Sequence, residues 1–232
     1  MEIIGYASTA IGLIIGGLIV WFFDKVQKDP YSIYALCAGL ILGLLSFEIV
    51  PEGIRLGGWL IFFLGFFIGV LVFELVLKSS HSAETEKRGM KNTGVIIASS
   101  IAIHNLPIGI VLGSDHSGIL TLSLLKTIFL HNIPEGMILF TPLFIQSIKP
   151  VKWLFLSFLV ALPVGIGVYI GGLIEAVNPL ILSFMISFAV GTMYMVTIKE
   201  VLVHSIKETS PVYSILFSLI GFGCIALYFM FI

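Results

Sequence analysis

The sequence predicts an all-α, polytopic membrane protein of eight transmembrane helices, and three observations carry that prediction. Hydrophobic residues make up 58% of the 232 and charged residues only 11%, whereas soluble chains carry about 25% charged residues. Mean hydropathy is +1.13, as expected of a chain that is mostly membrane span. Polar breaks divide the apolar sequence into stretches close to the ~20 residues a helix needs to cross the hydrocarbon core.

The spans fall at about 3–23, 31–50, 57–77, 93–113, 118–142, 151–173, 179–202 and 211–231. Met1-Glu2 opens directly into the first apolar run without a basic segment or an A-x-A site, so that run reads as a retained span and not a cleaved signal. The breaks between spans are short: Asp24 to Pro30, Pro51 to Arg55, Lys78 to Lys91, Ser114 to Ser117, Lys149-Pro150, Glu175 to Asn178, and Lys207 to Pro211. The longest, with Glu84, Glu86, Lys87 and Arg88, is the one candidate flexible loop. No room remains for a separate soluble domain, so residues 1–232 read as a single transmembrane domain. A net charge of −1 says nothing about partners, and nothing points to nucleic acid. Cys37 and Cys224 lie inside apolar runs and read as small core residues, not a disulfide or ligands.

Charge sets the orientation. Lys25, Lys28, Lys78, Lys87, Arg88, Lys91, Lys149, Lys152, Lys199 and Lys207 fall at span ends facing one side; Arg55 faces the other, and Lys126 lies within the fifth span. The positive-inside rule places both termini outside and the 78–91 loop in the cytoplasm. A weaker signal points to internal symmetry. An offset of 152 aligns Cys37-Ala38-Gly39 with Ala189-Val190-Gly191, Glu48 with Glu200 and Glu52 with His204. Spans two and seven would then be related, in an inverted repeat of 3+2+3 form.

The polar residues inside the spans are the informative ones. His104-Asn105-Leu106-Pro107-Ile108-Gly109 on span four returns as His131-Asn132-Ile133-Pro134-Glu135-Gly136 on span five. A short polar turn between these spans makes them antiparallel neighbours. Within it lies His116, 12 residues after His104 and 15 before His131, so both histidines sit near mid-bilayer. Ionisable groups at that depth cost roughly 2.5–3.5 kcal/mol on insertion scales and face functional cavities. Residues four apart share a helix face, so His131 and Glu135 point together and His104 can meet them from the next span. Two imidazoles and a carboxylate suit a divalent transition metal. Asn105 and Asn132 can offer a carbonyl oxygen or orient a ligand. Pro107 frees the carbonyl of Ile103 and Pro134 that of Leu130, while Gly109 and Gly136 permit close helix approach. One lone histidine would read as an interhelical hydrogen bond; two copies of His-Asn-x-Pro, one continuing to Glu, read as a metal site.

These paired motifs, the eight-span layout and Ser46-Phe47-Glu48-Ile49-Val50-Pro51-Glu52 on span two resemble the ZIP family of zinc and iron permeases, closest to the bacterial branch whose motifs read His-Asn-x-Pro-Glu-Gly. The resemblance implies that His104, Asn105, His131, Asn132 and Glu135 are ligands of a transported divalent metal, with zinc ahead of iron or manganese and no resident cofactor. It implies movement of the metal into the cytoplasm across the cell membrane, with one helix bundle sliding against another. Two positions depart from the family. Ile108 and Leu162 stand where related members carry glutamates, so one metal rather than two is expected. The alternative function is an intramembrane zinc-dependent hydrolase using His104, His131 and Glu135, against which stands the absence of His-Glu-x-x-His. An organic-solute transporter suits these ligands less well.

The other polar residues read as follows. Lys126 snorkels outward or else balances Glu135 or Asp115. Glu48, Glu52, Glu200 and His204 either line a path for the ion or solvate helix ends. Asp115 and His116 could gather cations at the outer turn. Glu74 and Glu175 are ordinary interfacial charges, and the single His81 of the cytoplasmic loop makes metal sensing there a poor expectation. The sequence leaves open whether the chain forms a homodimer.

Overall fold

Apolar, β-branched-rich segments with few charges can satisfy their backbone groups in lipid by winding into helices, and this chain does so. The computed structural model describes residues 2–26, 30–82, 90–114, 121–145, 149–174 and 178–231, which are almost wholly helical and include no strand. Helix α1 spans Glu2–Val26 and α2 Pro30–Leu44, which runs through a π-helical turn at Leu45–Ile49 into α3, Val50–Ser82. Helices α4 (Met90–Gly113), α5 (Thr121–Ile145) and α6 (Pro150–Gly172) follow. Then α7 (Pro179–Val196) passes through a second π-helical turn, Thr197–Leu202, into α8 (Val203–Glu208), and α9 (Pro211–Phe231) closes the chain.

Six helical stretches among the described residues are long and apolar enough to cross a membrane: Ile3–Phe23, Tyr31–Lys78, Gly94–Gly113, Val151–Gly172, Pro179–Glu208 and Pro211–Phe231. Helix α5 is not one of them on its described residues. The 48-residue stretch Tyr31–Lys78 would be about 72 Å long if straight, more than twice the hydrocarbon thickness. It is not straight. Gly58 adopts φ 72° and ψ 174°, a region essentially reserved for glycine, and the helical path breaks there. The sequence placed this break at Pro51 to Arg55. Those residues are helical instead, because proline is tolerated where its missing N–H falls beside the disturbed hydrogen bonding of a π turn. Gly58→Ala is expected to lower stability by about 1–3 kcal/mol through backbone strain, since no atom lies close enough for an added methyl to clash. Thermal unfolding in detergent measures it.

Two sets of helices emerge from the packing. Helix α1 lies on α5 and α6, and α4 on α6 and α5; separately, α3 lies on α7 and α2 on α9. The sets meet where α4 crosses α7 and α2 crosses α5. Within each set small residues allow backbone-to-backbone approach: a methyl on Gly136 would run into the carbonyl of Leu13, and one on Gly191 into that of Phe66. Such seams bind membrane helices by close van der Waals contact. Polar links between helices repeat the grouping. In the first set the Tyr6 hydroxyl donates to Phe158 O at 3.3 Å and the Ser8 hydroxyl to Leu125 O at 3.3 Å. In the second, the Ser183 hydroxyl donates to Gly53 O at 2.7 Å, the Ser205 hydroxyl to Tyr31 O at 2.9 Å, and Lys199 pairs with Glu74. Glu74 and Lys199, read as separate charges from the sequence, thus meet.

The side chains of Asp24, Lys25, Lys28, His81, Glu84, Glu86, Lys87, Arg88, Lys91, Asp115, His116 and Glu175, to which the sequence assigned roles, lie outside the described residues. Cys37 is buried and Cys224 exposed, both as free thiols. Lys126 is exposed.

Candidate metal centre

The i, i+4 spacing on α5 does what helix geometry requires: His131 Nε2 lies 2.7 Å from Glu135 Oε1. From α4, His104 Nε2 reaches the same oxygen at 3.1 Å. All three side chains are buried, at 0%, 3% and 0% exposure for His104, His131 and Glu135. Their potential ligand atoms lie within 4.8 Å of one another.

Tautomer follows from partner chemistry. His104 Nδ1 sits 3.1 Å from the carbonyl oxygen of Ser100, which can only accept, so Nδ1 carries the hydrogen. A neutral His104 then turns the lone pair of Nε2 toward Glu135. Two acceptors facing each other in a dry interior repel, and a cation between them removes the repulsion. In a tetrahedral zinc site with bonds of 2.0–2.1 Å, adjacent donor atoms stand about 3.3 Å apart. The two histidine–carboxylate separations are about 0.2 and 0.6 Å short of that. Glu135 Oε2 and His131 Nδ1 are buried without a hydrogen-bond partner among the described residues, the condition of a site built for something further.

The two asparagines divide their groups. Asn132 Nδ2 donates to Ile128 O at 2.6 Å and its Oδ1 is buried without a partner. Asn105 Nδ2 donates to Val160 O on α6 at 3.3 Å. Both line, with His104 and His131, a cavity of about 330 Å³. It extends past Ile108 and Leu112 on α4 and Thr127 on α5 to Glu48, Glu52 and Arg55. There Arg55 donates through Nε and Nη2 to the Glu52 carboxylate at 2.7 and 2.5 Å, an exposed pair that solvent screens.

Of the path residues weighed from the sequence, Glu48 and Glu52 line this cavity; Glu200 and His204 do not. Glu200 is buried, and His204 lies edge-on to Tyr31 and Tyr34 with ring centres 5.8 and 6.3 Å away. Ile108 lines the cavity, whereas Leu162 is 44% exposed and does not. Sequence reasoning missed Ser100, whose carbonyl aims His104, because any residue type supplies a carbonyl. It also missed Thr127, although the spacing to His131 is again four.

Long apolar helices enclosing a buried cluster that could hold a metal ion define a class: a multi-pass membrane protein with a cation-type interior site. Residues 73–228 match the family described as ZIP zinc transporter, and the chain belongs to that family. It is also 28% identical over 218 residues to a candidate zinc transporter of Arabidopsis thaliana, an alignment covering 88% of this chain and 34% of that protein. The chain thus spans about a third of the length of that relative.

Proposed function

We propose that the protein is a divalent-cation permease, zinc first among its substrates, and that the ion crosses through His104, His131 and Glu135, with Asn105 and Asn132 as supporting oxygen ligands. Two imidazole nitrogens meeting one carboxylate oxygen inside the helix assembly is the observation that carries this reading. Zinc accepts such a mixed set; iron and manganese accept it less selectively. Nothing favours the hydrolase alternative, since Glu135, the one carboxylate of this cluster, is itself needed as a ligand of the metal.

The protein is read as eight spans in a single domain, with Gly58 dividing the second from the third. Three features support a 3+2+3 inverted repeat. The packing of α1 on α5 mirrors that of α6 on α4, and the packing of α2 on α9 mirrors that of α7 on α3. The π-helical turns begin at Leu45 and Thr197, an offset of 152 (197 − 45), the same offset that aligned Glu48 with Glu200. Each turn carries one of those glutamates. With the termini outside, the cavity opens outward at Glu52 and Arg55, and the ion moves down its gradient into the cytoplasm of a cell whose surface membrane holds the protein. The two helix sets would slide past each other to expose the site inward.

Vesicles reconstituted with the protein should take up zinc and protein-free vesicles should not; equal uptake would remove the permease reading. Ile108→Glu adds a carboxylate to the cavity beside the site. It is expected to bind zinc about tenfold more tightly, since a second anion near the ion adds several kcal/mol of attraction before its own desolvation is charged. Calorimetric titration with zinc and manganese measures both the affinity and the changed preference.

A further inference from the structure

The polar links between helices described above each stay inside one helix set. One more does not. The Thr127 hydroxyl on α5 donates to Glu48 Oε1 on the π turn after α2, at 2.6 Å, joining the two sets across the boundary where α2 meets α5. Both residues line the cavity that leads to His131. Thr127 lies four residues before His131, so its hydroxyl and that imidazole occupy one face of α5.

We propose that this hydrogen bond is a latch: it holds the two helix sets in the outward-open arrangement, and a divalent cation entering the cavity opens it by drawing the Glu48 carboxylate away from Thr127. The proposal rests on the permease reading in which the sets slide. Three observations lead to it. Glu52, one turn beyond Glu48, is already paired with Arg55, so Glu48 is the carboxylate left to meet an ion beyond the mouth. A hydroxyl is a weak competitor for a carboxylate against a doubly charged cation in a cavity of low dielectric. The π turn supplies the freedom to move, because its extra residue strains the helical ladder and such turns accompany functional sites. Occupancy of the cavity and release of the inter-set link become one event. The latch thereby discourages sliding of the empty carrier.

The test is a distance between the sets. Spin labels at Phe67→Cys on α3 and Phe155→Cys on α6, both exposed, are placed in a Cys37→Ala, Cys224→Ala background. Pulsed dipolar spectroscopy in lipid nanodiscs then gives the distribution with and without zinc. Wild type should shift on adding zinc. Thr127→Val, which keeps the shape and loses the donor, should have moved toward the zinc-bound distribution before zinc is added, and Thr127→Ser should restore the wild-type resting state. Glu48→Gln keeps an oxygen for Thr127 but loses the charge, so it should rest like wild type and respond less to zinc. A Thr127→Val distribution that superimposes on resting wild type, or a full zinc response in Glu48→Gln, would overturn the latch alone. A wild type that binds zinc without any shift would overturn the sliding of the sets, and the latch with it.

Discussion

Glu135→Gln should bring zinc uptake down to that of protein-free vesicles while leaving the metal-free protein as stable as wild type or more so. Both halves come from the same physics. The carboxylate is fully buried, and desolvating an ion costs several kcal/mol even after relaxation. In the empty site the His131 contact alone offsets that cost, since His104 turns a lone pair toward the same oxygen. A neutral amide avoids it. With zinc present the balance reverses, because the amide withdraws the negative charge that makes the site more than a pair of histidines. Groups that merely orient a ligand are worth 10–100-fold in affinity, so losing the central ligand should cost about 100-fold or more. Zinc at about 100 times the wild-type Kd raises the unfolding free energy by about 2.7 kcal/mol, and in Glu135→Gln that rise should vanish. Thermal unfolding with and without zinc separates the two effects. Glu135→Gln that is strongly destabilised without metal would show the carboxylate to be structural.

His131→Ala and His104→Ala should each lower zinc affinity by about two orders of magnitude, and the double replacement should cost little more than either alone. Ligands that close on one ion act as a unit, so once one is gone the other has little left to contribute. The two differ in their surroundings. His104 is aimed by the Ser100 carbonyl at 3.1 Å, so His104→Ala also removes a buried side-chain hydrogen bond. His131 Nδ1 has no such partner. His104→Ala should therefore lower the melting temperature more than His131→Ala, although both abolish uptake. Titration calorimetry on the two single variants and the double tests this, and additive losses would mean that the histidines act at separate points.

The site was more legible in the sequence than the turns around it. Two copies of one motif on consecutive spans force antiparallel helices to present the same residue at the same depth, and the i, i+4 rule then converges His131 and Glu135 on one point. Gly58 was not legible because Pro51 to Arg55 looks like a break in composition, whereas the break depends on which residue can take a positive φ. Seven of the expected spans lie within the six long apolar stretches found among the described residues, the second and third sharing Tyr31–Lys78. Glu48 could be named as a path residue from its place on span two; that its carboxylate meets Thr127 needed the crossing of α2 and α5, which no local pattern encodes. Leu162 illustrates the opposite case, a position singled out by motif comparison that lies 44% exposed and away from the cavity.

X-ray absorption at the zinc edge of the loaded protein would probe the site itself. Two imidazole nitrogens at about 2.0–2.1 Å, with their outer-ring scattering, joined by carboxylate oxygen, are the expected shell. A zinc spectrum of oxygen neighbours alone, unaltered by His104→Ala or His131→Ala, would mean the ion is held elsewhere in the chain.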